Sequence, residues 1–329
     1  FERFNAAQMA QAELAMQAWS DAANIVFVRV GTGTAGEAAY SNAASILFGN
    51  YTSGVEGASA FASYPGNPAH SSSSGDVWIN SSIGYNAAPS ADNRGGLVLV
   101  HEIGHAIGMA HPGDYDAGDG RRITYAADAE YYQDTVQYTV MSYFAEGFTG
   151  AAFGGLYPSA PMLDDIAAIQ VEYGANMTTR TGDTVYGFNS TAGRPWFEAT
   201  SNATKVVFAV WDAGGTDTFD FSGYSNSQVI DLRAGFFSDV GGLTGNVAIA
   251  QGVTIENARG GLGSDRITAN AADNTIHGGS GNDTIDGGAG GRDYLRGDDG
   301  ADSLSGGAEF DDLNGNRGND TVAGGADGD

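Results

Sequence analysis

The 329-residue chain contains no cysteine and no long apolar run. The absence of cysteine excludes a disulfide framework, so any extra stability must come from elsewhere, and bound metal ions are one source. No apolar run approaches the roughly 20 residues that span a bilayer, so we expect no membrane span. The first residues, Phe1–Phe4, are no signal peptide and have the pattern of a helix already under way. We therefore expect further residues upstream.

Basic residues are also scarce. Fourteen Lys and Arg stand against forty Asp and Glu, which gives a formal net charge of −26. Such an excess of negative charge repels nucleic acid and anionic lipid, and it excludes both as partners. It fits either solubility alone or the binding of many hard cations such as Ca²⁺.

Histidine is rare, yet three of the five histidines lie within eleven residues that read H-E-x-x-H-x-x-G-x-x-H. His101 and His105 are four apart, so on a helix they share one face and can hold one metal ion at about 2.0–2.1 Å. Glu102 is placed to take a proton from metal-bound water. Gly108 permits a left-handed turn that returns His111 as a third ligand. Three protein ligands leave one position open, as in catalytic zinc sites.

The first part of the chain mixes helical and β patterns. Helices are predicted over 4–19 and 164–173, and a third, capped by Asp92 or Ser90, carries an apolar stretch into the histidine motif. Strands are predicted over 24–30, 43–50, 58–64 and 76–79. The sequence therefore predicts an α+β protein whose first domain, residues 1–175, combines a mixed sheet with helices and carries the metal site on a buried helix.

Helical patterns vanish near residue 176, and short strands alternate with Gly/Asp turns from there. From Gly260 the chain repeats every nine residues, and residues 278–286 match G-G-x-G-x-D-x-U-x throughout. The register breaks once, and we attribute the break to Gly287 as an extra residue between two repeats.

The repeat has a physical explanation. Its first six residues form a glycine-permitted turn whose carbonyls and Asp point at a calcium ion, and its last three form a strand with one aliphatic side chain in a thin core. Those aliphatic residues are Ile267, Ile276, Ile285, Leu295, Leu304, Leu313 and Val322. Asp occupies the sixth position in seven of eight repeats, with Asn274 as the exception, and a flexible tail would not keep that pattern.

We therefore predict that residues 176–329 form an all-β domain, a parallel β-roll of calcium-binding nonapeptide repeats. Its folding should depend on Ca²⁺, because the aligned carboxylates would otherwise repel one another. The last repeat stops in its middle at Asp329, so we expect the natural chain to continue.

With these motifs in place, the chain resembles the serralysins, bacterial secreted zinc metalloproteases of the metzincin clan. The resemblance covers most of the chain. It rests on the stretches His101–His111, Thr139–Tyr143, Leu163–Gln170, Arg180–Asn189 and Trp211–Gly215.

The resemblance implies an endopeptidase whose zinc is bound by the three histidines, with Glu102 as general base. Met141 would form the turn beneath the zinc. Tyr143 would be a further ligand in the resting enzyme and would leave the metal to hydrogen-bond the tetrahedral intermediate. The substrate peptide would lie antiparallel to an edge strand, for which residues 58–64 are the candidate.

The resemblance also implies several calcium sites. One would be formed by Arg180, Gly182, Thr184, Asp212, Gly214 and Asp217. A second would be formed by Gly215, Asp217, Thr254 and Glu256. In the roll, the carboxylate ligands would be Asp265, Asp283, Asp293, Asp302, Asp311 and Asp320, together with turn carbonyls.

Partners and location follow from the same resemblance. We expect protein or peptide substrates, a proteinaceous inhibitor as a further candidate partner, and a monomer. Export would use a type I system, with the roll unfolded in calcium-poor cytoplasm and folded outside the cell. Association with the cell surface is a further expectation.

Two other functions compete with the endopeptidase. One is a calcium-dependent surface-binding or adhesive module with a secondary zinc domain. The other is a zinc amidase that acts on non-protein amides. The turn at Met141–Tyr143 favours the protease over both.

Overall fold

A computed structural model of the chain describes residues 2–31, 33, 44–52, 59–66 and 74–326. These residues form two compact units. The first unit comprises the chain up to Thr149 together with Gly155–Asn176, and the second comprises Gly150–Gly154 together with the chain from Met177 onward. No helix in the described part of the chain is long and apolar enough to cross a membrane.

Helices and one small sheet build the described part of the first unit. In chain order its elements are α1 (Ala6–Ala22), β1 (Phe48–Tyr51), β2 (Ala60–Ala62), β3 (Val77–Asn80), α2 (Gly84–Ala87), α3 (Arg94–Ala106), α4 (Tyr125–Asp128) and α5 (Leu163–Tyr173). Short 3₁₀ helices lie at Ala117–Asp119 and Glu146–Thr149. The sheet has the order β1-β3-β2, with β1 parallel and β2 antiparallel to β3. Helices beside a mixed sheet confirm the α+β prediction, and β2 is an edge strand of this sheet.

Helix α1 supports α3, the helix of the histidine motif. Asn5 begins α1 with a capping box, in which its side chain accepts the Gln8 N–H at 3.0 Å and the Gln8 side chain accepts the Asn5 N–H at 2.9 Å. The fully buried Trp19 donates its indole N–H to the Val100 carbonyl of α3 at 3.1 Å. This bond satisfies the polar atom of a buried ring and fixes α1 against α3.

The strand predicted over 24–30 is absent, so that prediction was wrong. The segment has no place in any sheet of the described residues, and Val26 and Val28 are 86% and 79% exposed. High β-propensity forms a strand only where a neighbouring strand supplies hydrogen bonds and packing. The strands predicted at 43–50 and 58–64 are present in shorter form as β1 and β2, and the strand predicted at 76–79 is present as β3, shifted by one residue. Ala43 and Ala58 lie outside the described residues.

The second unit consists of short strands and one 3₁₀ helix, Pro195–Phe197. The strands are β4 (Val185–Gly187), β5 (Phe208–Val210), β6 (Thr218–Asp220), β7 (Val229–Asp231), β8 (Phe237–Ser238), β9 (Val247–Ile249), β10 (Asn257–Arg259), β11 (Arg266–Thr268), β12 (Thr275–Ser280), β13 (Thr284–Asp286), β14 (Tyr294–Asp299), β15 (Ser303–Gly307), β16 (Asp312–Asn314) and β17 (Thr321–Gly325). They form two parallel sheets, of order β16-β14-β12-β10-β6-β4 and β17-β15-β13-β11-β7, and a small sheet of order β5-β9-β8.

Successive repeats alternate between the two parallel sheets. Asn257 pairs with Thr275 in one sheet, and Arg266 pairs with Thr284 in the other. Neighbouring strands of a sheet are thus two repeats apart, and two repeats make one coil. The arrangement confirms the predicted parallel β-roll. The predicted aliphatic residues line its interior up to Leu304, whereas Leu313 is half-buried and Val322 is 47% exposed.

The extra residue in the repeat register lies in a different place from the one predicted. Gly288 has φ +102°, which matches φ +106° at Gly279, the second position of its repeat. A Cβ on Gly288 would lie 2.5 Å from the Asn270 carbonyl oxygen, so this position needs glycine. The repeat therefore begins at Gly287, and the extra residue falls at Ala289–Gly290, where the turn has room.

Candidate metal and catalytic site

Helix α3 carries the histidine motif through the interior of the first unit. The helix begins at Asn93, whose side chain accepts the backbone N–H groups of Gly95 and Gly96 at 2.9 and 3.1 Å. The cap is therefore Asn93, and the prediction of Asp92 or Ser90 was wrong. All residues from Gly95 to Ala106 except Leu97 are buried, so the motif lies on a well-packed element.

The chain leaves α3 through a turn centred on Gly108. Gly108 has φ +105°, a conformation that other residues adopt only with strain. Its N–H donates to the His105 carbonyl at 3.0 Å, and the Met109 N–H donates to the Gly104 carbonyl at 2.9 Å. The turn reverses the chain and brings His111 back beside the helix.

Three imidazole rings converge at this point. The Nε2 atom of His105 lies 3.1 Å from that of His101 and 3.0 Å from that of His111, and the remaining Nε2 pair is 3.3 Å apart. Every Nδ1 lies within hydrogen-bond distance of a backbone carbonyl. These pairs are His101 with Val140 at 2.8 Å, His105 with Met109 at 2.7 Å and His111 with Tyr115 at 2.8 Å.

This arrangement fits a zinc ion. A neutral ring that donates from Nδ1 has a lone pair on Nε2, so three lone pairs face one another with no proton between them. Burial lowers the pKa of all three rings, that of His105 to about 4, so they stay neutral near pH 7. Tetrahedral ligands about 2.0–2.1 Å from zinc stand roughly 3.3 Å apart, close to the spacing here.

Glu102 lies beside the first histidine and is buried. One of its carboxylate oxygens has no hydrogen-bond partner. Burial, and secondarily the negative charge of Asp116, raise the pKa of Glu102 to about 8. A buried carboxyl group with an unpaired oxygen and a raised pKa is suited to accept and return a proton.

The turn at Thr139–Met141 lies directly against α3. Met141 is buried, and a Cβ on Gly104 would lie 2.5 Å from its Sδ, so helix and turn are in close contact. The turn is held by Asp165 of α5, a residue whose role the sequence did not indicate. Its carboxylate accepts the Thr139 hydroxyl at 2.6 Å and the Val140 N–H at 2.7 Å. Burial nevertheless raises the pKa of Asp165 to about 7.

Two tyrosines line the open side of the histidine cluster. The Tyr143 ring lies 4.4 Å from the His111 ring and 5.8 Å from the His101 ring, and its side chain is 40% exposed. Burial raises its pKa, and the Ala117 N–H hydrogen-bonds its hydroxyl. Tyr64, two residues beyond β2, packs edge-on against His105 at 5.4 Å. The edge strand thus leads towards the metal site, as the predicted substrate strand requires.

The roll presents a second kind of polar site. The Oδ1 of Asp283 accepts the Asp265 N–H at 2.7 Å, and the Oδ1 of Asp302 accepts the Asp283 N–H at 2.8 Å. The same contact recurs along the roll. Asp293 accepts the N–H of Asn274, Asp311 that of Asp293, Asp320 that of Asp302, and Asp265 that of Gln228, each through Oδ1. The Oδ2 atoms of Asp283, Asp293 and Asp302 are buried and have no hydrogen-bond partner.

A buried carboxylate oxygen without a donor costs free energy unless a cation or proton neutralises it. Burial raises the pKa of Asp283 and of Asp293 to about 7 in the metal-free fold. A row of such oxygens beside turn carbonyls is the donor set that Ca²⁺ prefers. The roll therefore fits calcium at these turns.

The carboxylate row is interrupted at Asn274. Its side-chain N–H donates to the Glu256 carbonyl at 2.7 Å. The side chain of Asn270 donates to the Ile255 carbonyl at 2.8 Å and to the Leu232 carbonyl at 3.0 Å. At this turn, side-chain amide groups therefore donate hydrogen bonds to backbone carbonyl oxygens.

Asp217 is the centre of the two calcium sites predicted outside the repeats. Its Oδ1 accepts the Thr184 N–H at 2.8 Å, its Oδ2 is buried without a partner, and its N–H donates to Glu256 at 2.7 Å. Burial, with the charges of Asp212 and Glu256, raises its pKa to about 7. The Asp212 Oδ1 accepts the Gly214 N–H at 2.9 Å.

The other predicted ligands lie around this centre. A Cβ on Gly215 would lie 2.6 Å from the Gly182 carbonyl oxygen, so these two glycines are in contact. Arg180 has φ +48° and donates a side-chain N–H to the Trp211 carbonyl at 2.5 Å. Thr254 is exposed on the irregular segment that leads to Glu256 and β10.

A helix-borne pair of histidines, a third histidine after a glycine turn and a methionine beneath them define a metzincin-type site. Comparison with protein families agrees with this class. The matrixin model matches residues 3–132, and the model of the peptidase M10 serralysin C-terminal domain matches residues 175–323.

Individual relatives are similar over both units. Serralysin C of Dickeya chrysanthemi is 54% identical over 267 residues, which are 81% of this chain and 54% of that protein. Metallopeptidase AprA of Pseudomonas marginalis is 53% identical over 280 residues, 84% of this chain and 57% of that protein. Serralysin of Proteus mirabilis is 48% identical over 276 residues, 83% of this chain and 56% of that protein.

The chain belongs to the serralysin family. It spans about half the length of the curated relatives it matches.

Proposed function

We propose that this chain forms the catalytic and calcium-binding part of a secreted zinc endopeptidase that hydrolyses peptide bonds of proteins. Residues 1–175 would be the catalytic domain, and residues 176–329 would be the calcium-binding domain. The observation that carries the proposal is the convergence of three imidazole Nε2 atoms, two of them on a helix that also carries the buried Glu102 with one unpaired carboxylate oxygen.

His101, His105 and His111 would hold the zinc, which supplies Lewis acidity to the scissile carbonyl and to the attacking water. Glu102, which is buried and has one unpaired carboxylate oxygen, would accept the proton of that water and later return it to the leaving amine. Tyr143, a phenol at the edge of the cluster whose pKa is raised by burial, would donate a hydrogen bond to the developing oxyanion and would be a further zinc ligand in the resting enzyme. Met141 supports the ligand helix from below.

The substrate peptide would add, in antiparallel orientation, to the edge of β2 that does not pair with β3. Main-chain hydrogen bonds at a sheet edge give affinity for any extended peptide. Because β2 leads to Tyr64, which packs on His105, the added peptide would pass the metal site.

The roll would bind several Ca²⁺ ions through the unpaired carboxylate oxygens and turn carbonyls. Secretion by a type I route fits a roll that folds only at extracellular calcium, because its buried acids need a cation. The partners would be protein substrates and a proteinaceous inhibitor. The adhesive-module alternative is not favoured, because relatives named as proteases match across both units.

The deciding experiment compares casein cleavage and bound zinc in wild type, Glu102→Gln and the control Glu172→Gln, an exposed residue of α5. Glu102→Gln should keep its zinc and lose about 10²–10⁴-fold in activity. The control should match wild type in both. Near-native cleavage by zinc-loaded Glu102→Gln would contradict the role of Glu102 as general base. Zinc-loaded wild type without activity would contradict the proposed endopeptidase function.

A further inference from the structure

The three zinc ligands differ in how their supporting carbonyls are held. Val140 is fully buried in the turn held by Asp165, and Met109 is buried just after the Gly108 turn that follows α3. The carbonyl that orients His111 belongs to Tyr115, whose neighbours in the chain, Asp114 and Asp116, are both exposed. His111 thus depends on a surface loop, and it needs an anchor that the other two ligands do not.

The side chain of Tyr115 points inward from that loop and is buried. Its ring stacks on the His111 ring, with centroids 5.3 Å apart and planes 13° apart. It also contacts the rings of Tyr143 and Phe144, each at 5.1 Å. Tyr115 therefore restrains His111 twice, through its carbonyl on Nδ1 and through its ring on the imidazole face.

The hydroxyl of Tyr115 fixes the loop to the interior. It donates to the Asp134 Oδ1 at 2.8 Å and interacts with the Tyr143 backbone N–H. Asp134 is fully buried. Burial raises the pKa of Asp134, while hydrogen bonds from the hydroxyls of Ser142 and Tyr115 lower it. The buried carboxylate depends on the tyrosine as much as the tyrosine depends on it.

We propose that Tyr115 and Asp134 form a positioning pair that holds His111 in place as the third zinc ligand. The hydroxyl-to-carboxylate bond sets the position of the Tyr115 ring and carbonyl, and these set the plane of the imidazole. The carboxylate also interacts electrostatically with the His111 ring. The inference rests on the proposed zinc site.

The two residues act through one another, so their effects should not add. Partners of this kind typically contribute about 10–100-fold to metal affinity. Tyr115→Phe keeps the stacked ring and removes the hydrogen bond. Asp134→Asn keeps an acceptor and removes the charge. If both residues act through His111, the zinc affinity of the double variant should equal that of the single variant with the lower affinity.

The test measures the zinc dissociation constant of the calcium-loaded full chain by competition with a chromophoric chelator. The visible absorption spectrum of the Co²⁺-loaded protein reports ligand geometry at the same site. The control is Tyr132→Phe at an exposed residue two positions before Asp134. It removes a hydroxyl that donates to the Thr149 carbonyl. Thermal unfolding of each variant shows that it is folded.

We expect Tyr115→Phe and Asp134→Asn each to weaken zinc binding by about 10–100-fold and to alter the Co²⁺ spectrum, and Tyr132→Phe to do neither. Should Tyr115→Phe fail to fold, Asp134→Asn and its spectrum decide alone. Wild-type affinity and spectrum in the folded variants would overturn the positioning pair and leave the proposed function intact. Failure of wild type to bind zinc would overturn the proposed function itself.

Discussion

The Val140 carbonyl lies 2.8 Å from the Nδ1 of His101, and the Val140 N–H donates to Asp165 at 2.7 Å. The backbone of one residue, Val140 in the turn Thr139–Met141 (the methionine turn), thus joins a proposed zinc ligand on α3 to a buried carboxylate on α5. The position of His101 therefore depends on a residue 64 positions further along the chain.

Asp165→Ala should destabilise the first unit strongly. The substitution leaves the Thr139 hydroxyl and the N–H groups of Val140 and Met162 without their shared acceptor. We expect a loss of about 3 kcal/mol or more in the free energy of unfolding, measured by denaturant titration of the calcium-loaded protein. Asp164→Ala, at a half-buried neighbour, should cost about 1 kcal/mol or less. Equal losses in the two variants would contradict the role of Asp165.

Gly104→Ala should disturb the contact between α3 and the methionine turn. The added Cβ would lie 2.5 Å from the Met141 Sδ and 3.1 Å from the Trp19 ring. Overpacking of this kind costs about 1–3 kcal/mol, and a lower melting temperature should accompany it. The matched control is Gly84→Ala in α2, where a Cβ meets nothing within 4 Å and stability should hold or rise. A tolerated alanine at 104 would mean that the contact is loose.

Without calcium, the roll should become less stable as the pH rises. The pKa values of Asp283 and Asp293 are about 7 in the metal-free fold, against about 3.9 for Asp in an unfolded chain. Between these values the folded state binds more protons than the unfolded state. The free energy of unfolding therefore falls from about pH 4 to about pH 7 and then levels off for these groups.

This pH dependence can be measured by circular dichroism on protein stripped of calcium with a chelating resin. The melting temperature of the roll should be higher at about pH 5 than at about pH 8. Saturating Ca²⁺ should remove or reverse the difference, because the ionised carboxylates are the ligands. A calcium-free roll that is more stable at the higher pH would refute the expectation.

Asn274→Asp should create one additional calcium site. The asparagine amide now donates to the Glu256 carbonyl, and a carboxylate there would reject that donor contact and attract a cation. Metal analysis after equilibrium dialysis should find about one more Ca²⁺ per chain than in wild type. The control, Asn282→Asp, alters an exposed residue at the fifth position of its repeat and should leave the calcium content unchanged. Equal calcium in all three proteins would contradict this reading of Asn274.

Sequence patterns predicted the parts of the molecule that local spacing determines. The spacing of the histidine motif determines which side chains share a helix face. The nine-residue period determines which Asp and aliphatic residues recur on the roll. Tyr115, Asp134 and Asp165 escaped prediction because their importance arises from tertiary contacts between segments distant in sequence. An acidic residue on the buried face of α5 was the one local signal for Asp165.

Other errors have equally physical causes. Ser90, Asp92 and Asn93 are all good helix caps, and only the backbone path decides which one is used. Residues 24–30 have high β-propensity, but a strand needs a partner. The four glycines among residues 287–291 leave the repeat register ambiguous in sequence, and contacts with the preceding coil resolve it.

The pairing of two repeats per coil restricts how such a chain can change in evolution. Insertion of a single repeat would transfer every later strand to the opposite sheet and would turn each later row of acids to the other side. Insertion or loss of two repeats leaves every later strand on its own sheet, in register with Arg266 and Thr284. Gene duplications that survive in rolls of this kind should therefore come in units of eighteen codons, whereas one stray residue, as at Ala289–Gly290, can be absorbed by a turn.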